Sequence, residues 1–184
     1  MNVDSIPGLD HWHDFFLMTG TAAVTLVGLL FVALSFNLDV VLHESKTHLL
    51  GLARQTFLGF LYVLFISLLF LIPGVPPRML GAQILVFAVF ITIHALRGGI
   101  NVIRRRDFTR LGRFMLFRNI SSVVSGIFMV TAARALLKRD TRDLAFLVSG
   151  LLMIFGVSSG SAWTMLVEVG KMKAELWPDR GKTS

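Results

Sequence analysis

The side chains able to do chemistry in this sequence are few, and most sit at the edges of apolar runs. The five histidines stand at positions 11, 13, 43, 48 and 94. His11-Trp12-His13-Asp14, or His43 with His48, offers nitrogen ligands to a metal. Neither group has the H-E-x-x-H spacing that sets two imidazoles on one helical face. A b-type haem needs two histidines opposed across a bundle, and only His94 lies inside an apolar run. Serines are plentiful, yet no G-x-S-x-G elbow presents one to a base, and no glycine loop is built to cradle phosphate. The absence of cysteine excludes disulfides, thiolate chemistry and cysteine-held metals. The expectation is a protein that is not an enzyme and carries neither metal nor cofactor.

What remains is charge. Residues 97–118 read R-G-G-I-N-V-I-R-R-R-D-F-T-R-L-G-R-F-M-L-F-R, seven arginines against the single acid Asp107. A net charge of +7 on a soluble chain would suggest nucleic acid. Here 54% of the 184 residues are hydrophobic, only 16% are charged, and the charges fall into short blocks between apolar runs. Soluble domains average about 25% charged residues. The pattern predicts an all-α integral membrane protein, a single domain over 1–184, with no nucleic-acid partner and with its basic segments on the cytoplasmic side of a cell inner membrane.

Five runs are long enough to span a bilayer: about 15–36, 53–72, 79–96, 114–137 and 144–167. The first follows an acidic N-terminal stretch without the basic start of a signal peptide, so it is expected to stay in the mature protein. Trp12, Phe15 and Phe16 read as an interfacial anchor, and the first helix is expected to continue to about Leu42. Pro73-Gly74 and Pro76-Pro77 separate the second and third spans. With the N-terminus outside and the C-terminus cytoplasmic, thirteen of the 18 basic residues fall inside. Within 97–118, Arg106, Arg110 and Arg113 share one helical face, opposite Phe108, Leu111 and Met115. That spacing predicts a short basic interfacial helix between helices 3 and 4. Arg104, Arg105, Arg106, Arg110 and Arg113 would then meet lipid headgroups, anionic ones in particular.

Inside lipid, small and polar residues mark the faces where helices meet. On the first span Asp14, Thr21, Thr25, Gly28, Ser35 and Asp39 share one sector. Such a line is either a packing face or the wall of a pore with a carboxylate at each mouth. On the third span Gly81, Ala88, Thr92 and Ala95 form a packing stripe, with His94 on the opposite face. On the fifth, Gly156 and Gly160 make a G-x-x-x-G that would admit a helix of this chain or another. His94, Arg118, Arg134 and Glu168 are ionisable residues within or at the edge of spans, which makes them site candidates by default. The topology puts Asp39, Gln55, His94, Arg118, Asn119 and Glu168 in one cytoplasmic layer. Ion pairs between the acids and the arginines are expected there.

Three functions fit. The first is a homo-oligomeric ion channel or permeation pathway lined by the polar stripe of helix 1. The second is an accessory subunit of a larger complex, with another membrane protein as partner. The third, an intramembrane metal or haem protein, ranks last.

Overall fold

The computed structural model describes residues 12–37, 48–104, 110–138 and 144–176. Five helices carry nearly all of them: α1 (His13–Phe36), α2 (His48–Leu71), α3 (Pro77–Arg104), α4 (Arg110–Leu137) and α5 (Leu144–Leu176). Each contains a stretch long and apolar enough to cross a membrane. The shortest have 24 residues. That is about 36 Å of helix against about 30 Å of hydrocarbon. Phe31, Phe36, Val86, Phe117, Leu152 and Trp163 are exposed on the outside of the bundle. Such a surface suits lipid and would be a liability in water. The protein is an all-helical, multi-pass membrane protein.

The helix ends have local causes. Residues 38–42, over which helix is also expected, lie outside the described residues; α1 ends at Phe36. Asn37 turns the chain there, its backbone N–H reaching Leu34 O at 3.1 Å and its amide donating to Ala33 O at 2.8 Å. These bonds occupy carbonyls that a further turn of helix would need. Between α2 and α3, Gly74 takes φ of 77°, a left-handed conformation that glycine adopts without a Cβ clash. Pro77 then opens α3, where its missing N–H is not needed. The basic segment is mostly an extension of two spans. Arg97 and Arg104 continue α3, and Arg110, Arg113 and Arg118 belong to α4. The separate interfacial helix is not found among the described residues; Arg105, Arg106 and residues 107–109 lie outside them. The first turn of α4 takes Arg110 and Arg113 because the helical periodicity runs on unbroken into the span.

In space the helices follow the order α1, α2, α5, α4, α3. α3 and α4 share the most extensive contact, whereas α2 and α3 touch only sparsely although one short turn joins them. α2, α3, α4 and α5 therefore surround a common interior, and α1 packs on the outside of α2. Phe16 fixes α1 in place. It is 2% exposed and stacks on Phe70 of α2 with ring centroids 4.1 Å apart, so it anchors a helix pair and not the membrane interface.

The α3–α4 seam is the predicted small-residue stripe. Gly81, Ala88 and Ala95 are buried there, and a Cβ at Gly81 would lie 2.9 Å from the Ala133 carbonyl oxygen. Thr92 meets Gly126 of α4 and donates to its own Ala88 carbonyl at 2.7 Å. The G-x-x-x-G of α5 behaves differently: nothing lies within 4 Å of a Cβ built at Gly156 or Gly160. α5 approaches α2 closely at Ser158 and Gly59, and Ser158 lies two residues, about 200° around the helix, from each of those glycines.

Candidate functional site: a buried arginine in the inter-helix cavity

The interior shared by four helices holds a cavity of about 160 Å³. Its lining runs from Gln55 to Phe65 on α2, Phe87 to Ala95 on α3, Arg118 to Ser122 on α4 and Met153 to Ser161 on α5. Ten residues of helix rise about 15 Å, which sets the length of the space. Successive helices run in opposite directions, so the polar lining gathers at one end. Gln55, Thr56, Arg118, Ser121, Ser158 and Ser161 come together at the end of the bundle that carries Arg97 and Arg104. Phe65, Phe87 and Met153 form the other end.

Arg118 dominates the polar end. Its side chain is buried at 5% exposure, nine residues into α4. One guanidinium nitrogen, Nη2, donates to Gln55 Oε1. Gln55 in turn donates from Nε2 to Asn119 Oδ1 at 3.2 Å. Asn119 is itself buried and wedged against Gly98 of α3, where a Cβ would fall 3.1 Å from its Oδ1. Three helices thus hold one amide-guanidinium cluster. The remaining nitrogens of Arg118, Nε and Nη1, are buried and have no partner. A guanidinium left without an acceptor in a low-dielectric interior costs several kcal/mol, on the order of an isolated buried charge. A ligand that supplies negative charge and acceptor oxygens would remove that cost.

Among the described residues, Arg118 does not join an ion pair; such pairs link His13 to Asp14 at 3.5 Å and Lys171 to Glu168 at 3.3 Å. The expected layer of arginine–carboxylate pairs is therefore replaced, for Glu168, by a partner one turn away on α5. Side chains at that spacing are natural neighbours and need no tertiary partner. Asp39 lies outside the described residues. His94 lines the cavity and is exposed, so it stands at the rim, with its ring 6.4 Å from Phe90. Phe65 and Phe90 are also exposed lining residues. These three mark an opening between α2 and α3, where the two helices barely touch. Arg134 is exposed near the far end of α4, and Arg104 and Arg113 are exposed at the basic end.

Among the described residues, the polar stripe of α1 is not gathered into any site. Asp14, Thr21, Thr25, Gly28 and Ser35 all face away from the bundle. Their hydroxyls do not reach neighbouring helices, as a packing face would require. Thr21 donates to Leu17 O, Thr25 to Thr21 O, and Ser35 to Phe31 O, each at 2.8 or 2.9 Å. The face of α1 that packs carries Phe16, Thr19, Gly20, Ala23 and Leu30. Gly20 approaches Ser67 of α2 at 3.1 Å for a built Cβ.

Sequence reasoning placed Gln55, His94, Arg118 and Asn119 in one layer; the structure brings Gln55, His94 and Arg118 to one cavity, with Asn119 bonded to Gln55 beside it. It missed the contribution of Thr56, Ser121, Ser158 and Ser161. The available signal was the polar run Arg54-Gln55-Thr56 in the otherwise apolar α2. Among the described residues, no three metal-ligating side chains cluster. No protein-family model matches the chain, and no curated protein or solved structure matches it either.

Proposed function

We propose that this membrane protein binds an anion inside its helix bundle, with Arg118 as the charge that holds it. One observation carries the proposal: a guanidinium buried among four helices, with Nε and Nη1 unpartnered and only the neutral Gln55 accepting from it. Gln55 and Asn119 position the guanidinium, and the serine hydroxyls of α4 and α5 supply further polar contact. Binding without catalysis suits the lining. Ser161 already donates to Val157 O at 2.8 Å, and His94 stands at the rim, not beside a serine poised for attack. The positive-inside bias puts the N-terminus outside, the C-terminus in the cytoplasm and Arg118 in the cytoplasmic third of the inner membrane.

The test is thermal unfolding of purified protein in a neutral detergent, with chloride, phosphate, acetate and octanoate compared at equal ionic strength. A bound anion near 100 times its Kd stabilises by about 2.7 kcal/mol, a shift of roughly 5–10 °C for a chain of this size. At least one anion should raise the midpoint of the wild type and of Arg118→Lys, and leave Arg118→Gln unmoved. Equal shifts in all three proteins, or none in the wild type, would sink the proposal.

A second reading rests on α1. Its polar stripe is left uncovered by the chain's own helices, as it must be if several copies arrange it around a shared permeation path. Leu29 to Val32 would form the constriction. Ion flux in liposomes tests it. Flux that persists unchanged in Thr25→Val and Asp39→Asn, or its absence with the usual monovalent ions, counts against it.

A further inference from the structure

Four features of the cavity bear on what kind of anion it takes. The first is its polarity. The Arg118 end is polar, and the other end, about 15 Å away, is lined by Phe65, Phe87 and Met153. A hydrated inorganic anion has no use for that apolar length. A molecule with a charged head and an alkyl chain fits both ends. The second is the position of the opening. It lies between α2 and α3, framed by the exposed rings of Phe65, Phe90 and His94, and so faces the hydrocarbon of the bilayer and not water. The third is the contrast between seams. The α2–α5, α5–α4 and α4–α3 pairs are each in far more extensive contact than α2 and α3, so a ligand's chain leaves most readily between α2 and α3. The fourth is volume. About 160 Å³ is close to a cavity that accepts benzene. It holds a head group and the first few methylenes of a chain; the rest must run out through the opening into lipid.

We infer that the ligand is a single-chain amphiphilic anion, a fatty carboxylate in its simplest form, which enters sideways from the bilayer between α2 and α3. This rests on the anion-binding role of Arg118. A carboxylate brings a full negative charge and two acceptor oxygens in one plane, able to pair with Nη1 or with Nε in a fork that also uses the second hydrogen of Nη2. The tail lies along the apolar half of the cavity, past Phe87 and Phe65. The direction of approach follows from solubility: the chain is concentrated in the membrane, and the door opens there.

The experiment uses the full chain in nanodiscs of uncharged phosphatidylcholine with palmitate carrying a photoactivatable diazirine on its chain. After irradiation, crosslinked peptides are mapped by mass spectrometry. The label should concentrate on the segments of α2 and α3 that hold Phe65, Phe87 and Phe90. Excess palmitate should compete, and its methyl ester, which has the tail without the charge, should not. Arg118→Gln should lower labelling about tenfold or more, the loss expected for charge-assisted hydrogen bonds, while Arg118→Lys keeps most of it. Val157→Phe leaves Arg118 in place and fills the middle of the cavity. It should abolish labelling while the response to acetate in thermal unfolding persists, and it decides the matter if Arg118→Gln does not fold. Label spread evenly around the bundle, or undiminished by both variants, overturns the inference. If small anions stabilise through Arg118 and palmitate does not label the cavity, anion binding stands and the amphiphile falls. If neither occurs, both fall.

Discussion

The stripe on α1 and the cluster around Arg118 are both lines of polar groups inside hydrocarbon, yet they differ in one respect that decides their meaning. On α1 each hydroxyl reaches back to the carbonyl of its own helix, one turn earlier. Nothing is left over, and the helix can face lipid or a partner with equal comfort. At Arg118 the polar group is charged, sealed from the surface and short of partners. A polar residue in a span is informative in proportion to what it still lacks. By that measure the shorter cluster outweighs the longer line.

The largest effect expected from this contrast is at Gln55. Gln55→Leu removes the one acceptor that Arg118 has, and should destabilise the ligand-free protein by about 3 kcal/mol in reversible thermal or denaturant unfolding. A loss under about 1 kcal/mol would mean that the guanidinium finds other acceptors and the contrast is overstated. Comparable in size is Thr25→Arg, which puts a charge at the thirteenth of the 24 residues of α1. Facing lipid at mid-membrane, it should weaken insertion by about 2.5–3.5 kcal/mol in a translocation assay. No penalty would mark a water-filled surface and favour the permeation reading. Arg118→Met should act in the opposite direction. With the unpaired charge gone and a side chain of similar length in its place, the empty protein should gain about 1–2 kcal/mol while losing anion binding. A variant both less stable and unable to bind would instead assign Arg118 a structural role. The smallest effect belongs to Thr21→Val and Thr25→Val. Each removes a hydroxyl satisfied by its own helix, and stability should change by no more than about 0.5 kcal/mol.

Why the spans are legible in the sequence and their rotations are not has a simple physical origin. Hydrocarbon demands about 20 apolar residues per crossing, so the helices announce themselves. Lipid and bundle interior are equally apolar, however, so a leucine gives no sign of which way it points. Small residues give a partial answer. Gly81, Ala88, Thr92 and Ala95 identified the α3–α4 seam, because a close backbone approach leaves few alternatives. Gly156 and Gly160 permit the same approach without compelling it, and here α5 meets α2 through Ser158 and Gly59. Phe16 illustrates the converse: an aromatic at the start of a span looks like an interfacial anchor until Phe70 is found stacked against it. The site was legible as a layer, since topology alone puts Gln55, Arg118 and Asn119 at one depth. It was not legible as a cluster, because Gln55 and Asn119 are 64 positions apart and only the α2–α5–α4–α3 ring brings them face to face.

The turn at Gly74 has a mechanical side. α2 and α3 are pinned together there, at the end of the bundle remote from Arg118, and little else joins them along their length. Two rods joined at one end and in sparse backbone contact along the shaft do not fix their own separation. What sets the width of the gap is the rest of the ring: α3 is zipped to α4, and Gln55 of α2 is bonded to Arg118 and Asn119 of α4 at the end remote from the turn.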